Sequence, residues 1–213
     1  MAGNKEGEKK QKQISAKYHA SDSGEYEPGS HGRVLKNLLG LTKKTAMDAE
    51  EVKGYAKALR FVIENITLDQ QLTVTDINAI HKLFFSDLYS WAGKPREVNL
   101  TKEGFTFPSA QFLEQTLNTF EQEILKPNTP CFCTQEQVLK KIAQVHLELL
   151  FIHPYREGNG RTARIIATIL AMQAGYKGFN WNVLEERFDD YIRSIQKLNG
   201  ELMATLLRDA LVQ

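Results

Sequence analysis

The residues most able to do chemistry lie together in His153-Pro154-Tyr155-Arg156-Glu157-Gly158-Asn159-Gly160-Arg161-Thr162-Ala163-Arg164. Pro154 cannot continue a preceding helix, and Gly158-Asn159-Gly160 tolerates positive φ, so the stretch reads as a tight bend between two helices. A helix opening near Gly160 turns unpaired N–H groups and partial positive charge toward the bend, which favours an anion. Arg161 and Arg164, three residues apart, share one face of its first turn and present planar donor sets suited to neighbouring phosphates. Glu157 repels a phosphate directly, but it can ligate a hard cation such as Mg2+ that bridges phosphate oxygens. His153 titrates near neutral pH and can take a proton from an attacking hydroxyl. Two arginines beside a helix's positive end oppose the dipole unless an anion sits there, so the charge pattern points to a polyphosphate site rather than to a cap.

Helices must hold this bend. Thr134-Gln135-Glu136-Gln137 has the form of a capping box, and Val138, Ile142, Val145, Leu149 and Ile152 then recur along one face up to the bend. Beyond the bend, 161–175 is apolar nearly all round after Arg164, the pattern of a central buried helix with Gly175 at its C-terminal end. Upstream, Val52, Tyr55, Ala56, Leu59, Val62 and Ile63 predict a helix over 48–65 with Asp48 as its N-cap, followed by helices over 75–89 and 109–125. Residues 97–100 and 105–107 alternate about Lys102-Glu103-Gly104, the pattern of a small β-hairpin. The C-terminal part, 182–211, reads as two helices broken near Asn199-Gly200.

The chain of 213 residues carries 27 basic and 26 acidic side chains, a net charge of +1, and is 42% hydrophobic. That composition suits one globular domain. It supplies no global field for nucleic acid or an anionic membrane, so neither is expected as a partner. No run of about 18 apolar residues and no cleavable leader is evident. Cys131 and Cys133 are too close for an ordinary disulfide and too few for a zinc site, in keeping with a reducing cytoplasm. Residues 1–30 are polar and mildly basic and read as a flexible arm, leaving 31–213 as the domain. His146, two turns before His153, cannot chelate with it and reads as structural.

The bend resembles the signature of the Fic family, His-Pro-Phe-x-(Asp/Glu)-Gly-Asn-Gly-Arg-x-x-Arg, with Tyr155 in place of Phe. The stretches 80–84 and 89–93 with Arg96, the hairpin 98–107 and the segment 26–40 also resemble the family, so the likeness covers about 26–200. It implies an all-α Fic-type helical bundle with one β-hairpin flap, and transfer of AMP from ATP to a Tyr, Thr or Ser hydroxyl of a target protein with release of pyrophosphate. By the same resemblance His153 is the general base, Glu157 holds Mg2+, and Gly158, Asn159, Gly160, Arg161 and Arg164 bind the phosphates. Lys102, Phe105 and Phe107 line the target-docking flap. Tyr191 either borders the adenine or is a core or surface residue.

Many Fic proteins carry an inhibitory Ser/Thr-x-x-x-Glu-Gly/Asn helix. Ser21/Glu25 and Thr119/Glu123 lack the final Gly or Asn, and Glu64-Asn65 has Arg60 in the hydroxyl position, so no such brake is evident in this chain. The resemblance then implies a toxin-type member whose small antitoxin acts in trans on Arg164, or an unregulated bacterial effector delivered into another cell. The rival readings are a Fic-type kinase or UMP transferase, and an idle nucleotide- or protein-binding module in which His153 and Glu157 are dispensable.

Overall fold

The computed structural model describes residues 19–20, 25–102 and 104–213. The body is helical, with one short hairpin beside the signature bend. Helix α1 (Lys44–Asn65) packs against α2 (Val74–Phe85). A 3-10 turn (Ala110–Phe112) leads into α3 (Leu113–Phe120), a π-turn (Glu121–Leu125) and α4 (Lys126–Asn128). The centre is α5 (Gln135–Ile152) against α6 (Asn159–Gln173), with α7 (Asn182–Glu186), α8 (Phe188–Gln196) and α9 (Gly200–Ala210) closing one side.

Strands β2 (Leu100–Lys102) and β3 (Phe105–Thr106) form the expected hairpin, with Thr101 opposite Thr106 and Lys102 opposite Phe105. Glu103, expected in its turn, lies outside the described residues. Two pairings were not evident in the sequence: β1 (His19–Ala20) adds antiparallel to β2, and β4 (Gly178–Phe179) pairs with β5 (Leu211–Val212). Of the expected arm, 1–18 and 21–24 lie outside the described residues. His19–Ala20 is a strand, and Tyr26 bridges to Leu35 in a segment that packs on the body.

The α5 stripe is as expected: Val138, Ile142, Val145, Leu149 and Ile152 are all buried. In α6, Ile165, Ile166, Ile169 and Leu170 are buried on every side, so this helix is the core itself. Gly175, at φ +88, follows its C-terminus where a left-handed residue is favoured.

The phase of α1 differs from expectation. The helix begins a turn before Asp48, which pairs with Lys44 instead of capping, and Met47, Glu51, Ala58 and Val62 face inward while Val52 and Ile63 are exposed. Thr134 makes no side-chain cap, whereas Thr73 forms a full capping box with Asp76 at the start of α2. The C-terminal helices break at Arg187 as well as at Asn199, whose side chain accepts from the Leu202 N–H at 3.0 Å.

Truncation of Ile169 to Ala is expected to cost roughly 2 to 5 kcal/mol in urea unfolding, through lost burial and a residual cavity. Ile63→Ala, on the 52% exposed side of α1, should change stability by no more than about 0.5 kcal/mol. Equal losses at the two positions would show that α6 is not the centre of the core.

Candidate active site

The bend is built by an abrupt helix end. His153, which caps α5 just past Ile152, adopts φ 52 and ψ 60, left-handed values that cost energy for any residue but glycine. Arg96 makes this stop possible. Its Nε donates to the His153 carbonyl at 2.8 Å and its Nη2 to Ile152 at 3.4 Å, while Nη1 and Nη2 reach the Val98 and Pro108 carbonyls at 2.7 and 2.6 Å. The Arg96 N–H donates in turn to the Pro154 carbonyl at 2.7 Å. One buried guanidinium thus ties the end of α5 to both flanks of the hairpin, and burial holds its pKa down at about 10.

On the other side His81 supports the loop. Its Nδ1 accepts from the Gly93 N–H at 2.8 Å, so Nε2 carries the proton and donates to the Glu157 carbonyl at 3.1 Å. The ring stacks on Tyr155 with centroids 3.7 Å apart, and the Tyr155 hydroxyl donates to Asn78 Oδ1 at 2.8 Å. The hydroxyl that distinguishes Tyr155 from the family's Phe therefore has a polar partner. Gly158, at φ +80, has Phe85 against it so closely that a Cβ would lie 2.1 Å from the ring. Only glycine fits there.

Along one cavity of about 350 Å³ the structure brings together His153, Glu157, Gly158, Gly160, Arg161 and Arg164. Lys102, Phe105 and Phe107 line its flap side, and Tyr191 with Phe188 and Ile192 from α8 closes it opposite. Asn159 is not among the lining residues. Its amide closes the loop on Tyr155, accepting from that residue's N–H at 2.8 Å and donating to its carbonyl at 2.7 Å. Tyr191 is largely buried and bonds through its hydroxyl to His146 Nε2 at 2.8 Å, while His146 Nδ1 lies 3.1 Å from the Ala163 carbonyl. His146 is a core group, as its spacing predicted.

Only Arg161 and Arg164 fall on the phosphate-facing turn, so the sequence leaves Arg156 to solvent or a partner, and the structure departs from that expectation. A position pointing to solvent or a partner would suit an unneeded charge, yet this side chain is 6% exposed and its Nε meets Glu25 Oε2 at 2.6 Å. The N-terminal segment folds over the loop and supplies the carboxylate that a buried guanidinium requires. Hydrophobic periodicity carries no signal of a charged pair spanning 131 residues.

The His153 ring is fixed. Nδ1 lies 2.9 Å from the Leu150 carbonyl and so carries the proton in the neutral form, leaving the lone pair on Nε2. Phe107 stacks on the ring at 3.9 Å. Burial lowers the pKa to about 3, opposed by the Leu150 bond and aided by the charges of Lys102 and Arg96. Burial likewise brings His146 to about 3 and His81 to about 4.

The two signature arginines differ. Arg161 Nη1 meets Glu51 Oε2 at 2.8 Å, Nη2 lies 3.5 Å from Glu157 Oε1, and the guanidinium sits over the Phe84 ring at 4.8 Å. Arg164 lies over the Trp181 ring at 5.3 Å and, among the described residues, forms no ion pair. Among those residues no cluster of three or more His, Cys, Asp or Glu could hold a metal by itself. A single carboxylate such as Glu157, completed by phosphate oxygens and water, is nonetheless the donor set that suits Mg2+. No helix among them is long and apolar enough to cross a membrane.

Two outcomes follow from this geometry. Arg96→Lys keeps a charge but loses the fork, and should cost about 2 to 4 kcal/mol through buried carbonyls left unpaired. Hydrogen exchange should rise at residues 100–106 and around His153 together; a rise in one segment alone would show that they are not tied. The second concerns acid. His81, His146 and His153 are neutral in the fold but ordinary, near 6.5, when unfolded. The unfolded chain therefore binds more protons below pH 6.5, and stability is full above that value and falls as pH drops toward 4. Near pH 5 the difference approaches three protons, a slope of about 4 kcal/mol per pH unit. A flat unfolding free energy between pH 7 and 5 would contradict the buried neutral rings.

Comparison with known proteins agrees with this architecture. A model of the Fic/DOC family matches residues 71–171. The chain is 30% identical over 145 residues to the probable protein adenylyltransferase Fic of Salmonella typhimurium, covering 67% of this chain and 70% of the relative. It is 28% identical over 199 residues to the protein adenylyltransferase VbhT of Bartonella schoenbuchensis, covering 92% of this chain but only 41% of that longer protein. The fold is similar to the N-terminal Fic domain of an effector protein from Bartonella sp. AR 15-3, with a TM-score of 0.74, 22% identity and coverage of 88% and 91% of the two chains. The chain belongs to the Fic/DOC family.

Proposed function

We propose that this chain is a protein adenylyltransferase that moves AMP from ATP to a hydroxyl side chain of a target protein. The observation that carries the reading is the single cavity in which a fixed histidine, a helix N-terminus, two arginines and a carboxylate converge. Arg161 and Arg164 hold the β- and γ-phosphates, and backbone N–H groups around Gly158 and Gly160 receive the α-phosphate. Glu157 would hold Mg2+, which would supply positive charge against the phosphates when bound. The target oxygen attacks the α-phosphorus, the bond to the β-phosphate oxygen breaks, pyrophosphate leaves, and the hydroxyl proton passes to His153 Nε2. Negative phosphates beside the ring raise the low proton affinity that burial imposes on it. The Asn159 amide, engaged with Tyr155, supports this arrangement by closing the loop.

The flap supplies the second substrate's place. An extended target segment adds to a hairpin edge through main-chain bonds, beside Lys102, Phe105 and Phe107, and little target sequence is read. Arg164, without an ion pair in the described residues, is the group that a small inhibitory partner would engage through a carboxylate in trans. Action in the cytoplasm of the producing cell and delivery into another cell are both compatible with this chemistry.

Incubation with a cell lysate and ATP labelled at either the α- or the γ-phosphate tests the reading. Label on protein from the α-position alone is expected, falling by roughly 10² to 10⁴ in His153→Ala. Label from the γ-position would make the chain a kinase, and no label from either would leave a nucleotide-binding module.

A further inference from the structure

Glu51 has no part in the family signature and is charged, yet it is only 8% exposed, on the inner face of α1. Both its oxygens are engaged. Oε1 accepts from the Tyr89 hydroxyl at 2.8 Å, and Oε2 meets Arg161 Nη1 at 2.8 Å. Tyr89 is itself buried and stacks on Trp91 at 4.3 Å, so the phenol is a fixed post rather than a mobile donor. The Phe84 and Phe85 ring centroids lie 4.8 and 5.4 Å from the Arg161 guanidinium carbon.

A carboxylate on an arginine can act in two ways. It can withdraw the cation from its ligand, or it can hold the cation where the ligand will come. Arg161 still lines the cavity together with Gly158 and Gly160 while paired to Glu51. Withdrawal is therefore not what the pair does. A guanidinium has five N–H donors in a rigid fork; the bond to Glu51 and the longer contact of Nη2 with Glu157 at 3.5 Å leave the remaining donors for phosphate oxygens. An arginine held at one end also loses less side-chain freedom when its ligand binds.

We propose that Tyr89 and Glu51 form a positioning relay that aims Arg161 at the outer phosphates of the nucleotide. The inference rests on the reading of the cavity as a nucleotide site. Neither residue touches the substrate. Both act through Arg161, so their effect is confined to ligands long enough to reach it. ATP and AMP share the adenosine and α-phosphate, and only ATP carries the β- and γ-phosphates. A relay of this kind distinguishes the two, whereas a general packing role does not.

The test is calorimetric binding of α,β-methylene-ATP and of AMP to the otherwise unaltered protein, with Mg2+ present. Glu51→Gln keeps the shape of the side chain and removes its charge. It should weaken the triphosphate analogue about tenfold and leave AMP within about twofold. Tyr89→Phe keeps the carboxylate and loses the donor, and should weaken the analogue about threefold with AMP again unchanged; it carries the test if Glu51→Gln does not fold. Unchanged or tighter binding of the analogue by these variants, or equal weakening of AMP, overturns the relay. Failure of the unaltered protein to bind the analogue at all overturns the nucleotide reading and the relay with it.

Discussion

The site depends on how α5 is allowed to stop. A helix ends with carbonyls that have no helical partners and with partial negative charge, and both must be answered if the end is buried. Arg96 answers both, because its guanidinium takes the Ile152 and His153 carbonyls while its positive charge faces the helix's negative end. The left-handed turn at His153 follows from that capture, and Pro154 prevents the helix from resuming. The same fork reaches Val98 and Pro108, so the hairpin cannot shift without disturbing the residue whose ring Phe107 covers. His153 and the hairpin are therefore one mechanical unit.

Charge in the site is sorted rather than spread. The three buried histidines are kept neutral by burial, with nearby arginine or lysine charge acting in the same direction. Positive charge is left on Arg161 and Arg164, at the N-terminus of α6 where an anion would already be favoured. The two differ in their surroundings: carboxylates and phenylalanine rings for Arg161, an indole and the Tyr191 side for Arg164. An anion entering the cavity would meet one cation held by carboxylates and another whose charge is unopposed by a carboxylate among the described residues.

The parts of this arrangement that follow from period and spacing were legible in the sequence. The α5 stripe, the all-round apolar α6, the helix-breaking bend and the hairpin all follow from local rules. The phase of α1 did not, because its inward face includes Glu51, and a charged residue buried for a partner counts as polar in any periodicity. Arg156 was misplaced for the same reason, its carboxylate partner Glu25 lying far away in sequence. The loop-closing bonds of the Asn159 amide to Tyr155, a tertiary detail of the bend, carry no signal in periodicity either. Thr134 begins the pattern of a capping box without the geometry, whereas the box that forms is that of Thr73 with Asp76. Two-residue pairings such as β4 with β5 are too short to leave an alternation to read.

One such pairing bears on how a protein substrate would approach. In the order β1, β2, β3, the chain's own His19–Ala20 lies along the outer edge of β2, so the two edges of the hairpin are not equivalent. β1 and β3 are the outer strands of that sheet, and β3, the hairpin's own outer strand, carries Phe105, which lines the cavity and packs edge-on against Phe107 at 5.2 Å. A strand added through main-chain bonds needs an edge with unmet N–H and C=O groups. With β1 covering β2, the outer strand that belongs to the hairpin is β3, and Phe107, one residue past its end, is the residue that stacks on His153. Edge addition there would bring an incoming segment to the side of the hairpin that borders His153, whereas addition at β2 would first require the chain's own strand to leave.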